Sequence, residues 1–172
     1  MSDGAPSSEA MYGIDIESAF FHLGYELFRD REKMHATFLA ADLTAPVLPS
    51  IESLESRFDI ISAQSFFHLF TLEDQVTAAI HLARLTKPIP GSIIVGRQLG
   101  LMEARETRGL TAEATVFLHN PDSFTSLWQD VGAATDSKWK VHTEVGKAPD
   151  RILRQSWAVP GIMFFVFTVT RQ

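Results

Sequence analysis

The sequence contains no cysteine among its 172 residues. This absence excludes disulfide bonds, zinc sites built on thiolates and cysteine nucleophiles. The 6 histidines are spread along the chain without the spacing of metal ligands, so we infer no metal site. A chain without cysteine fits a reducing compartment, and we therefore expect a cytoplasmic protein.

Basic residues are few, and they form no long run. Lysine and arginine total 15 against 21 acidic residues, which gives a formal net charge of -6. Nucleic acids and anionic membranes attract basic patches, so we expect neither as a partner. The longest apolar run near the end, Gly161 to Val169, is too short to cross a bilayer as a helix. The first ten residues have neither the basic nor the apolar region of a secretory signal.

Apolar residues make up 45% of the chain, and they recur in short segments with alternating strand-like and helix-like spacing. A chain of this length can form one sizeable core, so we expect a single domain over residues 1–172. The first half predicts four strands, each followed by a helix or a turn. The predicted strands are Met11–Ile16, Ala36–Leu43, the start of Phe58–Phe70, and Ser92–Gln98.

The helices of the first half begin after Glu17 and after Thr71, where Thr71 and Asp74 have capping-box spacing. In the second half, Gly100–Asn120 is of mixed character and reads as a loop or lid. A helix capped by Asp122 follows, and two apolar strands then form a long hairpin at the end of the chain. This order predicts an α/β fold in which a sheet has helices on both faces and a C-terminal antiparallel hairpin.

Polar side chains follow three of the predicted strands. Asp15, Asp42 and the pair Gln64 and Ser65 stand where these strands end. In open α/β sheets, ligands bind outside the carboxyl ends of the strands, so we expect these side chains at one rim. A carboxylate there can accept hydrogen bonds from both hydroxyls of a ribose. The alternative for Asp15 is that it only caps the next helix, since aspartate is favoured at helix starts.

Four segments, in this order and at these spacings, resemble class I S-adenosylmethionine-dependent methyltransferases. They read YGIDI, ATFLAADL, FDIISAQSFFHLF and KPIPGSIIVGRQ. Two shorter segments, GYELFRDR and VGRQLG, are similar to methyltransferases of fungal secondary-metabolite clusters, especially those that methylate a carboxyl group of meroterpenoid intermediates. The resemblance implies a Rossmann-like sheet, S-adenosylmethionine as cofactor and a small-molecule acceptor.

The resemblance also implies which residues bind the cofactor. Asp15 would hold the ribose hydroxyls, with Ile16 packed near the adenosine. Asp42 and Leu43 would contact the adenine ring. Next along the chain, Gln64 and Ser65 would line the methionine portion of the cofactor; these two complete the implied binding set.

One part of the family pattern has no counterpart in this sequence. The family begins with a strand and a glycine-rich turn around the cofactor, and only MSDGAPSSEAM precedes the first strand here. The resemblance therefore implies an N-terminally truncated form with weak cofactor affinity and poor or no activity. The absent strand is central in the family's sheet, so its loss would leave open edges through which the chain could form a homodimer.

Methyl transfer requires few catalytic groups, because the methyl donor is already activated and catalysis consists mainly of alignment. His68 is the candidate base or acceptor-positioning group, and its alternative is a local hydrogen bond at a helix start. Arg97 and Gln98 could meet an acidic acceptor, or form a salt bridge at a strand end. We predict O-methylation of a small secondary metabolite, with a carboxylate as acceptor. The alternatives are a non-catalytic methyltransferase remnant that acts as an interaction protein, and a nucleotide-binding oxidoreductase.

Overall fold

A computed structural model describes residues 7–109 and 114–172. The chain divides into two compact units, Met1–Ser53 and Leu54–Gln172, and each is described by itself. The single domain over residues 1–172 stays a prediction. In the described residues, no helix is long and apolar enough to cross a membrane.

The first unit is a parallel strand pair with one connecting helix. Its elements are β1 (Tyr12–Asp15), α1 (Ala19–Phe28) and β2 (Thr37–Ala40), with short 3-10 helices at Ser8–Ala10 and Pro49–Leu54. Strands β1 and β2 run parallel, with Tyr12 opposite Thr37 and Asp15 opposite Ala40. The two predicted strands and the helix between them are therefore confirmed, with each strand shorter than its apolar segment.

Helix α1 packs through two aromatic side chains. Phe21 stacks on Phe38 of β2 with ring centroids 5.0 Å apart, and Tyr25 meets the same ring edge-on at 5.6 Å. The helix ends at Arg29, which adopts a left-handed conformation with φ of 52° and closes the last turn. Helix α1 has further apolar residues at helical spacing, on a face other than that of Phe21 and Tyr25. These residues are exposed: Phe20, Leu23, Leu27 and Phe28.

The second unit is built on a four-stranded mixed sheet. Its strands are β3 (Ile60–Ser62), β4 (Ile93–Leu101), β5 (Arg105–Arg108), β6 (Thr115–Leu118), β7 (Trp139–Lys147) and β8 (Ile162–Arg171). Its helices are α2 (Leu72–Leu85), α3 (Pro121–Ala134) and α4 (Asp150–Leu153), with a 3-10 helix at Phe67–Leu69. The sheet order is β3-β4-β8-β7, in which β3 and β4 are parallel and the other pairs antiparallel. The predicted C-terminal hairpin is confirmed as β7 and β8.

Two predictions for this unit are wrong. The segment Gly100–Asn120 is not a simple loop, because β5 and β6 form an antiparallel hairpin with Arg105 opposite Leu118. Residues 110–113 of that segment lie outside the described residues. The unbroken apolar sequence of the third strand also indicates burial on both faces, yet Ile60 is 64% exposed.

The helix starts follow the capping rules, with one correction. Thr71 caps α2, as its hydroxyl accepts a hydrogen bond from the Asp74 amide at 3.2 Å. Helix α3 is capped by Asn120 rather than by Asp122. The Asn120 side chain accepts from the Ser123 amide at 2.8 Å, and the Asn120 amide donates to the Ser123 hydroxyl at 3.1 Å. Asp122 therefore lies in the first turn, where a carboxylate favours the positive end of the helix dipole.

The core of the second unit is aromatic. Phe67, Phe124 and Trp128 are all at most 1% exposed. Their rings meet edge-on, with centroids 5.7 Å apart for Phe67 and Phe124 and 6.4 Å for Phe124 and Trp128. Phe165 and Phe167 of β8 close the cluster from the sheet, and they are 1% and 3% exposed.

Close packing over β4 depends on a residue without a side chain. A Cβ atom built on Gly96 would lie 2.5 Å from Cζ of Phe167 and would also collide with the Ala63 carbonyl oxygen. We therefore expect Gly96→Ala to lower the free energy of unfolding by about 1–3 kcal/mol, as overpacking usually does. Gly146→Ala is the control, since a Cβ there meets only the Phe164 oxygen at 4.0 Å. Chemical denaturation of both variants tests this, and equal losses would contradict it.

Candidate functional site

The first unit brings two of the predicted site carboxylates to the same edge of a sheet. Asp15 is the last residue of β1, and Asp42 lies two residues beyond β2. Because the two strands are parallel and Asp15 pairs with Ala40, both carboxylates lie beyond the carboxyl ends of their strands. The expected common rim is thus present within this unit for these two residues.

Both carboxylates also hold the turns in which they stand. Asp15 Oδ1 accepts a hydrogen bond from the Glu17 amide at 2.9 Å. Asp42 Oδ1 accepts from the amide and the hydroxyl of Thr44, at 2.9 and 2.7 Å. The Thr44 hydrogen bonds lower the pKa of Asp42 below its usual value, so this carboxylate is ionised at neutral pH. Helix α1 itself is preceded by Ser18, whose side chain makes no capping bond.

The same edge carries apolar surface. The side chain of Ile16 is 69% exposed directly after Asp15. Leu43, next to Asp42, is partly buried. Carboxylates that accept hydrogen bonds from hydroxyl groups, beside apolar side chains, suit the ribose and the ring of an adenosine. The chemistry of this edge therefore fits the adenosine portion of S-adenosylmethionine.

The second unit places the other predicted residues in one continuous stretch after β3. The pairing of β3 with β4 continues beyond the strand, since the Ser65 amide donates to the Arg97 carbonyl at 2.8 Å. Ser65 then turns the chain with a positive φ of 53°, which leaves the Gln64 and Ser65 side chains exposed. An exposed amide and hydroxyl at a strand end fit the amino-acid portion of the same cofactor.

His68 follows three residues later, and it borders a cavity. The buried ring of Phe67 anchors the 3-10 helix Phe67–Leu69, and this fixes the position of the neighbouring imidazole. The Nδ1 atom of His68 is buried and has no hydrogen-bond partner in the described part of the chain. Burial lowers the pKa of His68 to about 4, so the ring is neutral at physiological pH.

The cavity has a volume of about 150 Å³ and lies between the 3-10 helix, β4, the β5–β6 hairpin and the segment before β8. Its walls are mainly apolar. The lining side chains besides His68 are Leu69, Leu99, Thr107, Arg108, Ala114, Val116, Leu118, Trp157, Val159 and Ile162. An enclosed apolar space with a few polar groups is the usual form of a small-molecule site.

The sequence analysis missed Thr107, Arg108 and Trp157 as site residues. The signal for the first two was available, because two alternating segments flank Gly109 in the manner of a β-hairpin. Trp157 had no local signal, because its place at the cavity depends on packing against residues that are distant in the sequence, such as Leu99 of β4. Of the two residues suggested for an acidic acceptor, Gln98 is 1% exposed and thus within the core. Arg97 lies over the Phe164 ring at 5.7 Å.

Within residues 7–109 and 114–172, no three histidine, aspartate or glutamate side chains form a group that could hold a metal ion. The chemistry available in the described residues is therefore hydrogen bonding, charge and apolar enclosure.

Curated relatives of this chain are fungal methyltransferases. The chain is 42% identical over 138 residues to O-methyltransferase phiE of Fungal sp. (strain ATCC 74256), covering 80% of this chain and 46% of the relative. It is 34% identical over 173 residues to Asnovolin E/Chermesin D methyltransferase nvfJ of Aspergillus novofumigatus, covering 99% of this chain and 59% of the relative. The chain thus spans about half the length of the curated relatives it matches. No family model matches it.

Solved structures share the fold. One is a Burkholderia thailandensis 1,6-didemethyltoxoflavin-N1-methyltransferase with bound S-adenosylhomocysteine. The match has a TM-score of 0.63 and 13% identity, and it covers 94% of this chain and 60% of that chain. A putative Zn-dependent alcohol dehydrogenase of Rhodobacter sphaeroides matches with the same TM-score and identity over 94% of this chain and 74% of that one. At such identities the likeness concerns the fold alone, which is the predicted Rossmann-like sheet. Together with the fungal relatives, the fold supports a class I S-adenosylmethionine-dependent methyltransferase.

Proposed function

We propose that this chain serves the S-adenosylmethionine-dependent O-methylation of a small, largely apolar secondary metabolite at a carboxylate group. The relatives' names support O-methylation in fungi. The observation that carries the proposal lies in the second unit, where only three residues separate Gln64, in the polar stretch, from His68 at the cavity. A donor-binding stretch and an acceptor cavity at this spacing are what methyl transfer requires, since alignment supplies most of the catalysis.

A carboxylate acceptor suits the state of His68. S-adenosylmethionine supplies a methyl group activated by its sulfonium. As the C–S bond breaks, a carboxylate oxygen forms the new O–C bond, and no proton has to be removed because the acceptor is already ionised. A hydroxyl or phenol acceptor would need a base. With its pKa lowered to about 4, His68 is a weak base, and it is better suited to orient the acceptor by a neutral hydrogen bond.

The cofactor contacts are proposed separately for each unit. In the first unit, Asp15 would hold the ribose hydroxyls with Ile16 beside them, and Asp42 and Leu43 would contact the adenine. The carboxylates at the sheet edge support this assignment.

In the second unit, Gln64 and Ser65 would contact the methionine portion. The exposure of both side chains directly after β3 supports the assignment. His68 is the acceptor-positioning residue of the proposal.

The role of Asp15 can be separated from its role in the turn. We expect Asp15→Asn to weaken binding of S-adenosylhomocysteine by about thirtyfold, or about 2 kcal/mol, because a charged acceptor is lost. The melting temperature without ligand should stay unchanged, since asparagine Oδ1 can still accept from the Glu17 amide. Isothermal titration and a melting curve measure both quantities. Glu17→Gln is the matched control. If Asp15→Asn binds S-adenosylhomocysteine as tightly as the unmodified chain does, Asp15 only stabilises the turn and does not bind the cofactor.

The proposed function itself is tested by incubating the chain, extended by the family's N-terminal strand and glycine-rich turn, with methyl-labelled S-adenosylmethionine and a prenylated aromatic acid. The expected result is labelled methyl ester and S-adenosylhomocysteine in equal amounts. Titration with S-adenosylhomocysteine and with NAD runs in parallel. Binding of NAD with no affinity for S-adenosylhomocysteine would replace the proposal by an oxidoreductase. Absence of binding to either would favour an interaction protein, and sedimentation velocity would then test the predicted homodimer.

A further inference from the structure

The cavity at His68 has the size of one ring. Its volume is about 150 Å³, and apolar cavities of this size are known to stay dry and to bind benzene. Leu99 of β4 and Val116 and Leu118 of β6 are all less than 9% exposed, and they belong to one apolar cluster with the partly buried Trp157. A single aromatic ring or a short isoprenoid branch therefore fits inside, while the rest of a larger molecule would remain outside.

The formal charge among the described residues that line this cavity is positive. Among its described lining residues, Arg108 is the single residue with a formal charge at neutral pH. Glu106, two residues earlier, is opposite Phe117 in the hairpin and does not line the cavity. The chain as a whole carries a net charge of -6, so a positive cavity opening differs from the average charge of the protein. Such a site favours an anion over a neutral molecule of the same shape.

Arg108 also differs from its neighbour Arg105 on β5. Arg105 lies 3.9 Å from a carboxylate oxygen of Glu103. Arg108 forms no ion pair with any residue that the structure describes, and its side chain is exposed at the opening of the cavity. An arginine with its donors available beside an apolar cavity is suited to a carboxylate, which it can bind through two parallel hydrogen bonds.

We propose that Arg108 is a specificity-determining residue, which selects an apolar carboxylic acid whose ring or branch occupies the cavity beside the His68 ring. This inference rests on the proposed function, because the ligand that Arg108 selects would be the methyl acceptor. It goes further by naming the residue that recognises the charge and the part of the molecule that is enclosed.

Ligand binding without cofactor tests this inference independently of methyl transfer. The probes are 4-butylbenzoate and 4-butylbenzamide, which share ring and chain and differ in charge. Affinities are measured by isothermal titration, with Trp157 fluorescence as a second readout from the cavity wall. We expect the benzoate to bind about tenfold more tightly than the benzamide, in line with a charge-assisted hydrogen bond. Arg108→Gln should remove this difference and leave benzamide binding unchanged.

Two further variants complete the experiment. Arg105→Gln removes the same charge from a residue of the same strand that does not line the cavity, and it should leave both affinities unchanged. Val116→Trp should fill the cavity and abolish binding of both probes. Equal binding of the two probes to the unmodified chain, or equal effects of Arg105→Gln and Arg108→Gln, would overturn the inference. Benzoate binding through Arg108 in a chain that neither binds S-adenosylhomocysteine nor transfers methyl would keep the anion site and reject the methylation.

Discussion

Replacing Phe124 with alanine should lower the free energy of unfolding by about 3–5 kcal/mol, which is the usual cost of removing a phenyl ring from a core. The Phe124 side chain is 0% exposed, and its ring centroid lies 4.8 Å from that of Phe167 and 5.7 Å from that of Phe67. The cavity left behind would be enclosed by helix α3 and the sheet, whose packing leaves little room for collapse. Urea denaturation of Phe124→Ala measures the loss.

The same substitution should affect ligand binding, because Phe67 precedes His68 and packs against Phe124. Loss of the Phe124 ring would loosen the 3-10 helix that positions the imidazole, so affinity for 4-butylbenzoate should fall as well. Met102→Ala is the control, since the Met102 side chain is 73% exposed and should cost less than about 0.5 kcal/mol. Similar losses for the two variants would show that the aromatic cluster is not the centre of this core.

Acid should destabilise the fold in a pH range set by two buried histidines. Burial lowers the pKa of His68 and of His119 from 6.5 to about 4. The unfolded chain therefore binds more protons than the folded chain between these values, so stability is complete above pH 6.5 and falls as the pH drops to 4. Each histidine should contribute about 1.4 kcal/mol per pH unit, or about 3 kcal/mol over the whole range.

Denaturation curves from pH 4 to 7 test this expectation. In the double variant His68→Gln and His119→Gln, the slope over this range should largely disappear, although absolute stability can differ. His142→Gln is the control, because the His142 side chain is 69% exposed in its contact with Glu144. Asp42 titrates below this range, since its pKa is lowered. An unchanged slope in the double variant would mean that other groups cause the acid sensitivity.

The sequence alone predicted the strands, the helices and the final hairpin, because local periodicity differs between the two kinds of element. Strand-like segments marked β7 and β8, and the spacing of apolar residues marked α2. It also predicted that Asp15 and Asp42 would share a sheet edge, since two consecutive parallel strands end on the same side. These results depend on short stretches of chain and on the handedness of the connection between neighbouring strands.

Burial and the cavity were decided only by the tertiary structure. An apolar segment such as the one around Ile60 has the sequence of a buried strand, yet its exposure depends on what packs against it. The hairpin β5–β6 was mistaken for a loop because the residues of Gly100–Asn120 are of mixed character. The cavity joins His68 and Trp157, which are far apart in the sequence, and the unpaired Nδ1 of His68 results from that enclosure. Residue types and spacing set which side chains can bind a ligand, but desolvation and the choice of neighbours arise only when distant segments pack together.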